Sequence, residues 1–280
     1  MRNSLRTLRP IAVSKPGSLG ATPRRSITEL LAPVERIAAG SPNIIINRDA
    51  RFEVDGESYV LPRYLFIGPK SGGTPIRVGI FAAIHGDELE GAFAAVRFLQ
   101  YLENYADLAA GYCLSVYPIC NPTGFEDNTR HSRRGKDLDR EFWSKSNEPE
   151  VGLLQAELVS RSFHGIISLH VEDTGNGFHG IVSPATLTKH LIWPALKAAE
   201  AFLPLDDRAL TDGFASGNPV VHESSPGVLS APPIVRPRPF EIILEAPKGR
   251  PSFLTECAFV AALQSILAGY RGFIAHALNL

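Results

Sequence analysis

The sequence predicts an α/β fold with a mixed, mostly parallel twisted sheet flanked by helices. Residues 78–84 form a continuous apolar run, which is typical of a strand buried on both faces, and residues 89–105 follow with apolar positions at helical spacing. The same alternation recurs along the chain, which favours parallel strands connected by helices. Further strands are predicted at 113–120, 165–169 and 240–244, and further helices at 148–163, 187–202 and 255–278.

The N-terminal part of this pattern predicts a short helix and two or more edge strands. Ser26 and Glu29 have the spacing of a capping box, and the apolar residues after them recur at helical intervals. These apolar residues are Leu30, Leu31, Val34, Ile37 and Ala38. Residues 44–67 are rich in Ile, Val, Tyr and Phe, and Asp55-Gly56 lies among them as a hairpin turn signal. We therefore expect antiparallel strands at one edge of the sheet.

The chain is expected to consist of an N-terminal arm with a short helix over residues 1–40, followed by a single domain over 41–280. The first 25 residues carry six basic residues, no acidic residue and no apolar stretch. They therefore favour a loose arm over a secretory signal, with an organelle transit peptide as the alternative. Residues 206–239 are crowded with Pro, Gly and Ser and predict a loop or lid, with disorder as the alternative.

The composition argues against several classes of partner. The net charge is -1 and the pI about 6.7, so no strong field attracts nucleic acid or an anionic membrane. No run of roughly 18 apolar residues is evident, so we expect no membrane partner and a cytoplasmic location. The three cysteines lack the close pairing of a zinc ribbon and are expected to be buried free thiols. The oligomeric state is not predicted.

A first pair of candidate metal ligands lies where the strand at 78–84 gives way to the following helix. His85 and Glu88 are three residues apart, and Gly86 between them permits a tight turn. Open α/β sheets place ligand sites at such strand ends, and zinc accepts imidazole nitrogen and carboxylate oxygen. The pair alone is weak support, because Glu88 could equally serve the positive end of the helix dipole.

A third ligand is needed for a catalytic zinc, and His170 provides one. It directly follows the predicted strand 165–169 and precedes a polar, Gly-containing turn, so its ring is expected at the same sheet edge. His179 is the competing candidate, but it follows no predicted strand and is expected to be an exposed loop histidine. The same interpretation applies to His131, His164, His190, His222 and His276.

With these residues in place, the sequence resembles the zinc carboxypeptidase superfamily, including its succinylglutamate desuccinylase and aspartoacylase branch. The resemblance spans about residues 60–280 and rests on four motifs in the family's order. These motifs are His85-x-x-Glu88, Asn121-Pro122-Thr123-Gly124 leading to Arg130 and Asp137-Leu138-Asp139-Arg140, Leu169-His170, and Leu244-Glu245-Ala246-Pro247. The resemblance implies a zinc carboxypeptidase-like (phosphorylase/hydrolase-like) fold and a catalytic domain over 41–280.

The resemblance also implies a role for each motif. His85, Glu88 and His170 would bind one zinc ion per chain, and Glu245 would act as general base and proton shuttle. This chemistry is plausible independently, since zinc lowers the pKa of water toward about 7 and a nearby carboxylate can take the released proton. Glu241, on the same predicted strand, is the fallback for the base.

The basic stretch between the first and last ligands would handle the substrate. By the resemblance, Arg130 would polarise the scissile carbonyl, Arg140 would hold a free carboxylate, and Asp137 would orient the ring of His85. The further substrate-binding candidates are Asn121, Arg134 and Asp139. A solvated basic loop is the alternative for this stretch.

The chain departs from the family pattern at two points. Asp139 stands where the family usually has Asn before the carboxylate-binding Arg, and an acid there would repel a substrate carboxylate unless an arginine neutralises it. No Tyr occurs between Tyr117 and Tyr270, whereas digestive carboxypeptidases carry a mobile Tyr upstream of the catalytic Glu. This absence favours the smaller bacterial-type and acyl-amino-acid branches.

Three functions are compatible with these motifs. The first is a metallocarboxypeptidase that cleaves an amide bond next to a free carboxylate in a peptide. The second is a deacylase acting on an N-acyl amino acid with the same residues. The third is a noncatalytic metal-binding module that kept the fold.

Overall fold

The computed structural model describes residues 24–70, 74–173, 175–206, 210–211, 214–215, 220–221 and 226–277. Residues 1–23 of the predicted N-terminal arm and much of the predicted loop or lid at 206–239 lie outside these residues. So do His222 and the side chain of His276.

An eight-stranded mixed sheet forms the centre of the described chain. The described chain has twelve strands, eight of which form this sheet: β1 (Ile44–Asn47), β2 (Arg51–Val54), β3 (Glu57–Val60), β4 (Arg63–Ile67), β5 (Ile76–Ala82), β6 (Tyr112–Tyr117), β7 (Gly165–Glu172), β8 (His179–Ser183), β9 (Leu210–Thr211), β10 (Phe214–Ala215), β11 (Val220–Val221) and β12 (Phe240–Pro247). The sheet order is β1-β4-β6-β5-β7-β12-β8-β11. The inner strands β6, β5, β7 and β12 are mutually parallel, while β1, β4 and β8 pair antiparallel with their inner neighbours. The predicted fold class is confirmed.

Six α-helices accompany the strands in the described chain. They are α1 (Ile27–Ala38), α2 (Leu89–Asn104), α3 (Pro122–Asp127), α4 (Pro149–Ser160), α5 (Trp193–Ala199) and α6 (Ser252–Ala277). Helix α1 begins as predicted, with the Ser26 hydroxyl accepting a hydrogen bond from the Glu29 amide. The helix predicted at 187–202 is divided instead into a π-helix at Thr188–Ile192 and the short α5. Pro194 lies in the first turn of α5, and because proline has no amide hydrogen it is tolerated only at a helix start.

The inner strands are mainly apolar because both faces of the sheet are covered. On β5, Ile80 and Ala82 pack in the core that contains α1, α2, α5 and α6, whereas Phe81 packs in a second core with α4. The hairpin predicted at Asp55-Gly56 is confirmed, but its strands β2 and β3 form a separate two-stranded sheet. Among the cysteines, Cys120 and Cys257 are buried free thiols as expected, and Cys113 is half-buried.

Helix α6 corrects one expectation about the sequence. The stretch Ser252–Ala275 is long and apolar enough to cross a membrane by length and composition, although no such stretch was expected. In this structure 61% of an 18-residue apolar segment within this stretch is buried inside the protein, where α6 packs against α2 and α5. Buried core helices pass the same test of length and composition.

A buried ion pair joins α2 to α6. Arg97 Nε donates to Glu256 Oε2 at 2.7 Å, and both residues are almost fully buried. The Arg97 guanidinium also lies over the ring of Phe253. Removing one partner of a buried pair leaves a charge without compensation in a medium that solvates it poorly.

We predict that Arg97→Met destabilises the protein by about 3–5 kcal/mol, because Glu256 would then be buried without its cation. Urea unfolding followed by circular dichroism measures the change. Arg36→Met, at an exposed position of α1, is the matched control and should change stability by less than about 0.5 kcal/mol. Adding Glu256→Leu to Arg97→Met should restore part of the loss; an equal or greater loss in the double variant would contradict the ion-pair explanation.

Candidate metal centre

Three neighbouring parallel strands bring the predicted metal and base residues to one edge of the sheet. Strand β7 lies between β5 and β12, and its Leu169 pairs with Ala82 while its His170 pairs with Glu245. His85 follows the end of β5 by three residues. Because parallel strands end at the same edge, side chains that are distant in sequence meet at this edge.

The three predicted metal ligands converge. His85 Nδ1 lies 2.5 Å from Glu88 Oε1 and 3.4 Å from His170 Nδ1, and His170 Nδ1 lies 3.4 Å from Glu88 Oε2. All three residues are buried. We refer to His85, Glu88 and His170 as the metal centre.

The electrostatics of the metal centre favour a cation. Burial alone would lower the pKa of His170, but the carboxylates of Glu88 and Glu245 outweigh it and raise the pKa to about 10. Burial alone would raise the pKa of Glu88, yet the two histidines lower it to about 2. Glu88 Oε2 makes no hydrogen bond within the described chain although it is buried. Two imidazoles and a carboxylate are ligands that suit zinc, so this residue set fits such an ion.

Asp137 orients the first histidine. Its Oδ1 accepts a hydrogen bond from His85 Nε2 at 3.1 Å, which directs Nδ1 of the same ring toward Glu88 and His170. The Arg130 guanidinium contacts Asp137 Oδ2 at 3.0 Å. Burial would raise the pKa of Asp137, but its bond to His85 and the charge of Arg130 lower it, so the carboxylate stays ionised. The prediction for Asp137 agrees with this geometry.

The loop between β5 and α2 is held by close backbone packing. A Cβ atom on Gly86 would lie 2.0 Å from the carbonyl carbon of Gly124, so only glycine fits this position. The Gly86 amide bonds to the carbonyl of Arg130, and the Gly86 carbonyl accepts from the guanidinium of Arg25. Ala83 has a φ of 47°, which an alanine adopts at a cost in free energy. The position of His85 therefore depends on contacts from three other segments.

Glu245 lies beside the metal centre on β12. It is half-buried, and loss of solvation raises its pKa to about 8 although the His170 charge opposes the shift. Glu241, the fallback base, is four residues away near the opposite end of the same strand. Its carboxylate accepts hydrogen bonds from the Ala231 amide and from Arg238. The geometry thus favours Glu245 over Glu241.

The candidate substrate arginines are accessible. The side chain of Arg130 is 41% exposed and that of Arg140 is 50% exposed. Arg140 Nη1 donates to the Asp139 carbonyl at 2.7 Å and lies 3.6 Å from its carboxylate. Arg134 is exposed and donates to the carbonyl of Asn147 instead, so a contact with substrate stays a prediction for Arg134.

Asn121 has a supporting role in the structure. Its side chain is fully buried, accepts from the Gly124 amide to cap α3, and donates to the carbonyls of Ile84 and Arg130. It therefore holds the segments that carry His85 and Arg130. Direct substrate contact by Asn121 stays a prediction, and this burial argues against it.

Asp139 lies closer to the metal centre than the sequence indicated. It is 5% exposed, and one ligand atom each from Asp139, His85 and His170 lie within 4.8 Å of one another. Its Oδ1 accepts from the Leu229 amide at 2.9 Å. Asp139 was interpreted as a substrate-binding residue, and the structure makes it a candidate metal ligand as well.

Comparisons with known proteins identify a similar catalytic-domain profile and similar folds. Residues 75–167 match the profile of the succinylglutamate desuccinylase/aspartoacylase catalytic domain. A candidate metallopeptidase from Shewanella denitrificans OS217 superposes with a TM-score of 0.71 at 19% identity, covering 91% of this chain and 98% of that one. The chain has a carboxypeptidase-like fold. Both the predicted fold class and the predicted resemblance are thereby confirmed.

Two further solved structures are similar over most of their length. A metallo-carboxypeptidase from Burkholderia cenocepacia gives a TM-score of 0.69 at 16% identity, covering 89% of this chain and 70% of that one. Thrombin activatable fibrinolysis inhibitor gives 0.64 at 17% identity, covering 88% and 74%. No significant match is found among curated protein sequences. At these identities, the structural likeness concerns the fold alone.

His179 corrects a prediction. It was expected to be an exposed loop histidine, but it begins β8 and is only 4% exposed. Its Nδ1 lies 3.5 Å from Glu172 Oε1 and 4.0 Å from Asp206 Oδ2. A usable signal was the short run Phe178 to Val182 after a Gly-containing turn, which indicates a strand that starts at this histidine. His131 and His190 are exposed as expected, and His164 is half-buried and accepts from the Arg77 amide.

We predict that Gly86→Ala weakens metal binding and destabilises the protein by about 1–3 kcal/mol, because the added methyl group collides with backbone that cannot move aside cheaply. Zinc competition with a chromophoric chelator and thermal unfolding measure the two effects. Gly152→Ala is the matched control: this helical position is open, so the change should be neutral or stabilising by up to about 1 kcal/mol. Unchanged zinc affinity in Gly86→Ala would contradict the role given to this packing.

We predict that Asp137→Asn lowers the metal affinity about 10–100-fold, because the carboxylate that fixes the His85 ring and raises its basicity is lost. The same chelator competition provides the measurement. Asp127→Asn is the control, since Asp127 pairs with Arg133 and supports no ligand. Equal affinities for the two variants would disprove the orienting role of Asp137.

Proposed function

We propose that the protein is a zinc-dependent hydrolase that cleaves an amide bond adjacent to a free carboxylate. The observation that supports this most strongly is the convergence of His85, Glu88 and His170 with the carboxylate-bearing Glu245 on the neighbouring strand. Accessible arginines at the same edge supply groups that recognise anions.

His85, Glu88 and His170 would hold the zinc ion, which when bound supplies Lewis acidity and lowers the pKa of water. Glu245 would accept a proton from the attacking water and deliver it to the departing amine. A carboxyl group whose pKa lies near neutrality suits both steps, because it can be deprotonated first and then reprotonated. Its half-buried position keeps the carboxylate close to the edge of the sheet while limiting its solvation.

Arg130 and Arg140 would bind the substrate from the open side. Arg130, held by Asp137, would stabilise the negative charge that develops on the carbonyl oxygen. Arg140 would bind the free carboxylate, since the planar guanidinium matches a carboxylate with two parallel hydrogen bonds. Asp139 lies 3.6 Å from Arg140, so part of the Arg140 charge is already offset. We expect weaker carboxylate binding here than with Asn at position 139.

A metallocarboxypeptidase is the first candidate, supported by the fold of the structural neighbours. An N-acyl amino acid deacylase is the second, supported by the match of residues 75–167 to the desuccinylase and aspartoacylase profile. Both substrates present an amide next to a carboxylate, so the same residues would serve either reaction. The zinc-loaded protein should be incubated with short peptides and with N-acyl amino acids, and the released amines identified by mass spectrometry. Release from N-acyl amino acids alone would exclude the peptidase assignment.

We predict that Glu245→Gln leaves zinc bound but lowers kcat at least about 100-fold, because an amide cannot accept the proton. Glu241→Gln is the matched control on the same strand and should retain most of the activity. Zinc content measured on the same samples separates loss of chemistry from loss of metal. Full activity of Glu245→Gln would require a different base, and substrate binding without turnover by the wild-type protein would favour the noncatalytic alternative.

A further inference from the structure

A second group of metal-ligand side chains lies at the same sheet edge, outside the metal centre. We propose that Glu172, His179 and Asp206 bind a second divalent first-row metal ion. We refer to these three residues as the second site. This inference does not depend on the proposed amide hydrolysis.

The fold brings the three residues of the second site together from separate segments. Glu172 ends β7, two residues after His170, and His179 begins β8, where its Cα pairs with that of Glu245. Asp206 comes from the segment after α5. The second site therefore takes residues from β7 and β8, the two strands that flank β12. It adjoins the metal centre through β7.

Backbone contacts fix Asp206 beside His179. The Phe178 amide bonds to the Pro204 carbonyl at 2.7 Å, and the Asp206 amide bonds to the Phe178 carbonyl at 3.1 Å. Gly177 lies so close to this segment that a Cβ atom would be 2.3 Å from the carbonyl carbon of Leu205. The carboxylate of Asp206 thus reaches the histidine from a backbone segment that is hydrogen-bonded to Phe178 and closely packed against Gly177.

The spacing of the ligand atoms matches that of one coordination sphere. His179 Nδ1 lies 3.5 Å from Glu172 Oε1 and 4.0 Å from Asp206 Oδ2, and one ligand atom from each residue lies within 4.8 Å of the others. Ligands about 2.0–2.2 Å from a tetrahedral ion lie about 3.3–3.6 Å apart. The metal centre provides an internal comparison, since His170 Nδ1 lies 3.4 Å from both of its partner ligand atoms. The second site therefore needs only a small contraction to hold an ion.

The burial and charge of the second site favour a cation. His179 and Asp206 are each only 4% exposed, whereas the Glu172 side chain is 22% exposed and gives solvent access on one side. Two carboxylates and one imidazole supply oxygen and nitrogen donor atoms of the kind that divalent first-row metals accept. Gly175 also leaves room for Glu172, because a Cβ atom there would lie 2.1 Å from Glu172 Oε1. One imidazole and two carboxylates suit zinc or manganese.

Metal stoichiometry tests the proposal directly. The metal-free protein is reconstituted with zinc, passed through a desalting column and analysed by inductively coupled plasma mass spectrometry. We expect about two zinc ions per chain for the wild type, about one for Asp206→Asn and about one for His170→Ala, which removes a ligand of the metal centre instead. Asp49→Asn, an exposed carboxylate outside both sites, is the control and should keep about two.

A crystal structure with anomalous scattering at the zinc edge locates the ions in the wild-type protein and does not depend on whether a variant folds. A peak among Glu172, His179 and Asp206 supports the proposal. A peak at the metal centre alone, together with one zinc ion per chain in both the wild type and Asp206→Asn, overturns the proposal. Glu172, His179 and Asp206 would then form an ion-paired cluster without a metal. Turnover plays no part in either measurement, so an inactive protein with two zinc ions would count against the proposed function only.

Discussion

The parallel register of β5, β7 and β12 is the constraint on which the rest of the site depends. Backbone hydrogen bonds along these strands place His170 opposite Glu245 and bring the end of β5 alongside them. The side chains that meet there come from distant parts of the sequence, and their positions are set by strand pairing rather than by local structure. Two apolar cores, one on each face, make this register costly to shift, because a slip by one residue would turn every buried side chain to the opposite face.

The metal centre concentrates groups that are expensive to bury together. Its carboxylate and imidazoles are removed from water, and Asp137 and Asp139 add further negative charge around them. Arg130 offsets part of this charge from the exposed side. A bound cation would compensate the remainder, so the fold and the ion should stabilise each other through linkage. Apparent stability is therefore expected to depend on the concentration of free metal.

The sequence allowed the fold class and the convergence of His85 and His170 at one sheet edge to be predicted, because each histidine comes directly after a long apolar run that is recognisable without the structure. Metal binding by these residues stays a prediction. His179 was misjudged because β8 is short, pairs antiparallel and follows a Gly-containing turn, so it lacks a continuous apolar run. The position of Asp206 depends on a tertiary contact between Phe178 and Leu205, which no local pattern encodes. The helix expected at 187–202 is helical over residues 188–199 but divided into two segments, for a reason that the sequence does contain: Pro194 has no amide hydrogen for an α-helical bond to the preceding turn.

The contact of Arg25 with the carbonyl of Gly86 links the start of the described chain to the loop between the first two ligands. The amide of Arg25 also bonds to the carbonyl of Glu126, and its guanidinium lies over the ring of Phe125, so the segment ahead of α1 is attached to this loop region at several points. A protease cut or a fusion junction immediately before α1 would therefore disturb the loop that positions His85 and Glu88.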